Sequence, residues 1–151
     1  MTKLSIVILS LALLALVNTV CAAQIKITVG EGIITDEVGY SEADLNKTYL
    51  ILPLKFENQG YGEFTCNASW GGVTVDNVRY GKAFIDGSLN ASGYPTLAPM
   101  TLKNGSKING YMGFEVPTGV SKYTFTYDLP PVYGSYNIVY EKAPVKSGKI
   151  R

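Results

Sequence analysis

The sequence predicts an all-β protein with an immunoglobulin-like antiparallel β-sandwich fold, and three observations support this fold class. Apolar and polar residues alternate with period two along most of the chain, as they do in strands with one buried face. Turn-forming residues, such as Asp86-Gly87, separate these runs at intervals of about 8 to 12 residues. The 16 Gly and 11 Tyr are also more typical of strands and turns than of helices.

The first 22 residues are predicted to be a cleaved secretory signal peptide. Met1–Lys3 gives a positive start, Leu4–Val17 is an almost unbroken apolar run, and small residues follow. Cleavage before Ala23 divides the chain into a signal peptide (1–22), an N-terminal strand with a Gly linker (23–32) and a sandwich domain (33–151). Cleavage after Ala23, or retention of the run as a membrane anchor, are alternatives, although the run is short for a bilayer span. We therefore expect an extracellular protein with no stable membrane span after cleavage.

The alternating runs follow one another along the rest of the chain. They cover 24–29, 49–56, 63–67, 73–75, 107–116, 122–129 and 136–140, with shorter candidates at 82–85 and 96–102. In the run 107–116, the predicted inner side carries Ile108, Met112, Phe114 and Val116. The one stretch with helical character is Ser41–Asn46, which is too short to form a stable helix by itself. The basic tail after Glu141 is expected to fray.

The charged and reactive residues exclude several classes of function. The chain has 13 Lys and Arg against 12 Asp and Glu, and loss of Lys3 with the signal leaves 13 − 1 = 12 against 12. A neutral protein lacks the basic field that nucleic-acid binding needs. Because the chain has no His, we expect no catalytic residues, no metal site and no cofactor. Cys66, the single mature cysteine, is expected to be a buried apolar residue.

Two further groups of residues are candidate sites. A polar segment contains four acidic residues, Asp36, Glu37, Glu42 and Asp44, which are better explained as a solvated loop than as the opposed pair of a glycosidase. Trp70 with Tyr40, Tyr61 and Tyr80 could form a sugar-binding platform, although aromatic residues of a small sandwich belong mostly to its core. The protein is therefore predicted not to be an enzyme.

Four N-glycosylation sequons are the most specific motif in the chain. The acceptors are Asn46, Asn67, Asn90 and Asn104, each followed by Ser or Thr at the second position. Roughly one such motif would be expected by chance in a chain of this composition. Because a glycan must project into solvent, we expect all four side chains to lie outside the core. N-linked glycans are thus predicted partners of a permanently extracellular protein.

The mature N-terminus is a short amphipathic strand with two interpretations. It consists of Gln24, Ile25, Lys26, Ile27, Thr28 and Val29, and the flexible stretch Gly30–Gly32 follows. In the ordinary interpretation this is the first strand of its own sandwich. Alternatively it is a donor strand that completes the sheet of a neighbouring copy by β-augmentation. Such a head-to-tail contact does not close and would propagate into a filament of identical subunits.

The arrangement resembles a known family of cell-surface filaments. The segments 110–117 and 123–127 look like the late strands of small exported immunoglobulin-like domains of archaea and bacteria. The whole plan (signal peptide, immediate amphipathic strand, Gly joint, one sandwich, several sequons) is similar to the subunit of the archaeal thread. This resemblance implies a structural filament at the cell surface, N-glycosylated at the four Asn and polymerised through donor strand 24–29. The alternative is a monomeric secreted or surface-tethered binding module for carbohydrate or protein.

Overall fold

The protein is an immunoglobulin-like antiparallel β-sandwich with almost no helix, as the sequence predicts. The computed structural model describes residues 25–133, 137–142, 146–147 and 150. The first sheet consists of β1 (Ile25–Val29), β2 (Ile33–Thr35), β5 (Lys47–Asn58), β10 (Lys107–Pro117) and β13 (Lys146–Ser147). The second sheet consists of β7 (Gly71–Val75), β8 (Val78–Gly81), β11 (Tyr123–Asp128) and β12 (Asn137–Lys142).

Smaller elements join and cover these two sheets. Two separate ribbons pair β3 (Glu37–Val38) with β4 (Ser41–Glu42), and β6 (Glu63–Cys66) with β9 (Met100–Lys103). The helical elements are α1 (Asp86–Ala91) and two single 3-10 turns, Ala68–Trp70 and Pro131–Tyr133.

The long strand β5 organises the first sheet. One edge of β5 pairs with β10 over its whole length, from Lys47 opposite Pro117 to Glu57 opposite Lys107. The other edge pairs first with β2 and then with β1, both antiparallel. The second sheet has the order β12-β11-β7-β8, so β11 lies in its interior.

The inner faces of the two sheets meet in one core, and the predicted alternation is confirmed there. Along β11 every second residue, from Tyr123 to Leu129, is buried. Aromatic rings cross the interface between the sheets, with Phe56 and Tyr127 at 4.9 Å and Phe114 and Phe125 at 6.3 Å between ring centroids. Cys66 is also fully buried in this core, as expected. Burial of this apolar surface is the main source of stability.

The predicted donor segment pairs with β5 of its own chain in this structure. Residues Ile25, Ile27 and Val29 are buried in the core, and Lys26 and Thr28 are exposed. This placement corresponds to the ordinary interpretation of a first strand, whereas the donor interpretation has the strand leave its own domain. The physical reason is that the linker 30–32 is short and β1 and β2 lie on the same edge of β5. Pairing β1 with β5 of its own chain therefore costs little conformational entropy. Gln24, the first residue of the predicted donor, lies outside the described residues.

One short helix forms where a strand and a turn were predicted, and none forms in the stretch with helical character, Ser41–Asn46. Ser41 and Glu42 form strand β4, and the helix of the described chain is α1, at Asp86–Ala91. This helix follows a predicted short strand at 82–85 and replaces a predicted turn at Asp86-Gly87. Tertiary packing explains the difference, because Ile85 and Leu89 are buried against the outer face of the first sheet. Such packing outweighs the low helix propensity of Gly87.

The prediction of a frayed C-terminal tail was also wrong for its described residues. Strand β13 pairs in parallel with β2, with Lys146 opposite Ile33. Ile150 forms an isolated bridge with Val38 and is buried. The tail is held because it supplies an apolar residue to the outer face of the first sheet. The basic composition of the tail, on which the prediction rested, gives no indication of this contact.

Candidate functional site: the Phe84 cleft

The outer face of the first sheet carries a second apolar cluster that supports the candidate site. We call it the outer cluster. Its buried members come from the sheet, from α1 and from the segments that fold over them: Val38, Tyr49, Ile51, Ile85, Leu89 and Ile150. A Cβ atom on Gly113 would lie 2.6 Å from Cδ1 of Ile85. The absence of a side chain at this position therefore lets α1 dock closely on β10.

The chain reaches α1 by crossing from one sheet to the other, and this crossing places Phe84 at the surface. Strand β8 ends at Gly81 in the second sheet, and Lys82 then forms a bridge with Phe114 on the edge of β10 that faces away from β5. The amide of Ala83 donates to the carbonyl of Gly113 at 2.8 Å. Ile85 turns inward to the outer cluster, so Phe84 points away from the sheet and is fully exposed.

An open depression of about 500 Å³ lies beside this crossing, and we call it the Phe84 cleft. The crossing segment 79–85 lines it on one side, and Tyr49 of β5 and Glu115 of β10 also line it. This volume falls within the range of ligand-binding clefts in proteins. The side chain of Phe84 is fully exposed at the border of this depression, so the depression is a candidate binding site.

The charged groups at the cleft are already paired with one another. Nη2 of Arg79 lies 2.7 Å from Oδ2 of Asp128, and Lys82 forms an ion pair with Asp86. Glu115 accepts a hydrogen bond from the amide of Asp44 at 2.9 Å and lies 3.4 Å from Nζ of Lys47. The charged side chains around the cleft therefore form ion pairs, and they carry further hydrogen-bonding groups at its rim.

Tyr49 is held in its neutral form beneath the cleft. Burial raises the pKa of Tyr49, and the carboxylates of Glu115 and Asp44 raise it further. Its hydroxyl donates a hydrogen bond to the carbonyl of Glu42 at 2.9 Å. Tyr49 is therefore neutral near neutral pH, and this hydrogen bond orients its hydroxyl group.

The four predicted glycan acceptors all lie outside the core. Asn46 and Asn104 are exposed in turns, Asn90 is exposed on α1, and Asn67 is half-buried. They lie in separate parts of the domain and form no common site. Their surface positions meet the steric requirement for a glycan, while the modification itself stays a prediction.

The side chains of two acceptors are held by local hydrogen bonds. Oδ1 of Asn67 caps the 3-10 turn, where it accepts hydrogen bonds from the amide and the hydroxyl of Ser69. The amide nitrogen of Asn90 donates to the hydroxyl of Thr96 at 3.1 Å. A glycan on Asn90 would replace one of the two hydrogens of this nitrogen and would leave the other for this contact.

The aromatic platform that the sequence suggested does not form as one surface. Trp70, Tyr61 and Tyr80 pack partly buried against the core between the sheets, whereas Tyr40 is exposed on the β3–β4 hairpin. Trp70 contacts Tyr127, with 6.0 Å between the ring centroids. Of the four, Tyr80 lines the Phe84 cleft.

Sequence reasoning missed the cleft because its residues carry no motif. Arg79, Lys82 and Phe84 lie in a segment with weak alternation. The ion-pair partner of Arg79, Asp128, and the residues Tyr49 and Glu115 that line the same cleft lie far from this segment in the sequence. The available signal was Phe84 itself, a large apolar residue two positions before the predicted turn at Asp86-Gly87.

In the part of the chain that the structure describes, no group of three or more His, Cys, Asp or Glu side chains is placed to hold a metal ion. The helices of this part are also too short or too polar to cross a membrane.

The fold and the cleft together define a small immunoglobulin-like sandwich with a ligand-sized depression beside one sheet edge. A family model described as a domain of unknown function (DUF4352) matches residues 16–138. The chain belongs to this family. A search of curated proteins found no match.

Several solved structures share the fold. A candidate lipoprotein of Bacillus subtilis, ycdA, aligns with a TM-score of 0.64 and 12% identity over 82% of this chain. The alignment covers 37% of ycdA, so this chain spans less than half of that protein. The yjhA protein of Bacillus subtilis gives a TM-score of 0.57 at 18% identity, over 80% of this chain and 92% of its own. MPT63, a secreted protein of Mycobacterium tuberculosis, gives 0.54 at 16% identity, over 78% and 82% respectively.

Proposed function

We propose that the protein is an exported, non-catalytic binding module that acts as a monomer outside the cell or at its surface. The observation that carries this proposal is the position of β1. Its residues Ile25, Ile27 and Val29 are buried in their own core, so one copy of the chain closes its own sandwich. A closed sandwich with an open cleft on one side is suited to binding a partner molecule.

The extracellular location is supported by two independent observations. The N-terminal segment 1–22 has the composition of a secretory signal peptide. Two solved structures with the same fold are described as a secreted protein and as a candidate lipoprotein. We propose a non-catalytic role because the charged side chains of Arg79 and Glu115 at the cleft are already engaged in ion pairs, with Asp128 and Lys47 respectively.

A crosslink across β1 and β5 tests the monomeric state. Thr28 and Lys55 are cross-strand partners in the structure, so we would replace both by cysteine and oxidise the purified protein. A self-completed monomer gives an intrachain disulfide and one band on a non-reducing gel. The buried Cys66 does not interfere, because burial raises the pKa of its thiol to about 11. A ladder of disulfide-linked oligomers would contradict the proposal.

A second candidate function is the filament subunit suggested by the resemblance to the archaeal thread. In that role the chain assembles head to tail, and segment 24–29 of each copy enters the sandwich of the next. The specific observation in its favour is that β1 lies at a sheet edge and pairs with β5 alone among the described strands. Removing β1 would uncover the core beneath Leu54 and Phe56, and an identical strand from a neighbour would fit the same groove.

Deletion of residues 24–29 separates the two candidates. A filament subunit lacking this segment is secreted but does not polymerise, whereas its full-length parent forms fibres visible by electron microscopy. For a monomeric module, full-length protein shows no fibres and runs as a single species in size-exclusion chromatography. Its deletion variant loses three buried side chains and unfolds.

Glycosylation is proposed for either role. Peptide mass spectrometry of the native protein, with Asn→Gln variants of Asn46, Asn67, Asn90 and Asn104, measures the occupancy of each acceptor. We expect the highest occupancy at Asn46 and Asn104, whose side chains are exposed in turns. Unmodified peptides at all four acceptors would remove this part of the proposal.

A further inference from the structure

We infer that the Phe84 cleft binds a neutral saccharide, with the ring of Phe84 as the stacking platform. This inference rests on the proposed binding function and assigns a site and a ligand class to it. The first support is the position of Phe84. Its side chain is fully exposed, yet both of its neighbours are anchored, Ala83 to β10 and Ile85 in the outer cluster. A large apolar ring is thus held in water on a rigid support, an arrangement that presents a flat face to a ligand.

The second support is the charge arrangement, which favours an uncharged ligand. Arg79 is paired with Asp128, Lys82 with Asp86, and Glu115 with Lys47. A charged ligand would have to compete with these existing partners. The hydroxyl groups of a sugar both donate and accept hydrogen bonds. They can therefore bind to the N–H groups and oxygen lone pairs that an ion pair leaves unused, without separating the pair.

The third support is the shape of the cleft, which fits a short oligosaccharide better than a peptide strand. The cleft holds about 500 Å³ and is open to solvent along one side. Extended peptides are recognised mainly by adding to an unpaired strand edge. Here the adjacent edge of β10 already pairs with Lys82 and Ala83. A pyranose ring needs no free edge, because one of its faces is apolar and its rim is polar.

Affinity electrophoresis of the mature protein tests this inference. Native gels would contain dextran, mannan or galactan as neutral probes, and alginate as an acidic probe. We expect at least one neutral polysaccharide to retard the wild type, and we expect Phe84→Ala to weaken this retardation roughly tenfold. The variant Phe84→Trp should keep it. The matched control is Tyr40→Ala, which removes another fully exposed aromatic side chain at a different place. Because Phe84 contributes nothing to the core, its variants are expected to fold.

The possible outcomes distinguish a failure of the saccharide inference from a failure of the proposed binding function. Retardation by a neutral polysaccharide that depends on Phe84 and not on Tyr40 supports both. Retardation by alginate alone, or capture of a peptide instead of a sugar, overturns the saccharide assignment and leaves a binding module. Retardation that is equal in wild type and Phe84→Ala overturns the site. No retardation by any of the neutral probes overturns the ligand class. Fibres in the electron microscope would overturn the monomeric module independently of any gel.

Discussion

The two faces of β5 show how one strand can serve two different purposes. Its inner face carries Leu50, Leu52, Leu54 and Phe56, which pack between the two sheets. Its outer face carries Tyr49 and Ile51, which α1, Val38 and Ile150 cover. The inner contacts come from long, fully paired strands, whereas the outer contacts come from a six-residue helix and short segments. The inner face therefore defines the fold, and the outer face carries the layer that forms the cleft.

The largest expected effect on stability comes from truncating one buried leucine on each face of the first sheet. Leu52 belongs to the inner core and Leu89 of α1 to the outer cluster, and both are fully buried. We expect Leu52→Ala to lower the free energy of unfolding by about 4 kcal/mol and Leu89→Ala by about 2 kcal/mol, because the short helix can shift to fill its cavity. Urea unfolding followed by circular dichroism measures both values. Equal losses would show that the outer layer is as rigid as the core.

The next effect tests how closely α1 must dock on β10. In Gly113→Ala the new Cβ would lie 2.6 Å from Cδ1 of Ile85 and 3.2 Å from Cδ1 of Ile51. We expect a loss of about 2 kcal/mol, the usual cost of overpacking, and a displaced Phe84 cleft. Thermal unfolding gives the stability change. The control is Gly62→Ala, where a Cβ would meet no atom within 4 Å. A neutral Gly113→Ala would mean that the outer layer adapts freely.

Two buried tyrosines sharpen the description of the inner face. The hydroxyl of Tyr127 accepts a hydrogen bond from the amide of Asn67 at 2.9 Å and donates one to the carbonyl of Asn67. The hydroxyl of Tyr123, in contrast, is buried without a hydrogen-bond partner among the described residues. We expect Tyr127→Phe to cost about 1 kcal/mol, because it leaves these groups unsatisfied, and Tyr123→Phe to be close to neutral. Urea unfolding at neutral pH measures the two changes.

Tyr123 also makes the stability of the protein depend on pH in the alkaline range. Burial raises the pKa of Tyr123 from 10.0 to about 12, so the unfolded chain loses this proton at a lower pH than the folded chain. The contribution is fully present below pH 10 and is lost as the pH rises toward 12. Cys66 acts in the same direction from pH 9 to about 11. In Tyr123→Phe the fall in stability between pH 10 and 12 should be smaller than in wild type. An unchanged profile in that variant would contradict this origin.

The smallest expected effect is a gain of stability in the outer layer. Gly87 lies within α1, and a Cβ there would meet no atom within 4 Å. Gly87→Ala should raise the free energy of unfolding by about 0.5 to 1 kcal/mol, because it reduces the entropy that the helix loses on folding. Thermal unfolding measures the gain, and a loss would show that Gly87 has a contact or conformation that Ala cannot adopt.

Much of the sandwich could be predicted because the inner core depends on a local pattern. In a strand with one buried face, every second side chain points inward, so the alternation in β10 and β11 shows which residues form the core. Each predicted acceptor Asn is also recognised from three adjacent residues. Its position outside the core is predicted because a glycan must project into solvent. These features involve only residues that are close together in the chain.

The outer layer was decided by contacts between distant parts of the chain. The alternation in the run 49–56 is enough to place Tyr49 and Ile51 opposite the inner residues of β5, but nothing local shows that Leu89 and Ile150 cover them. For the same reason α1 was not predicted and the tail was expected to fray. Pairing of β1 with its own β5 was likewise one of two options left open by its pattern. The amphipathic alternation determined the sandwich, and only tertiary packing, through burial of the remaining apolar surface, decided where α1, the tail and the Phe84 cleft lie.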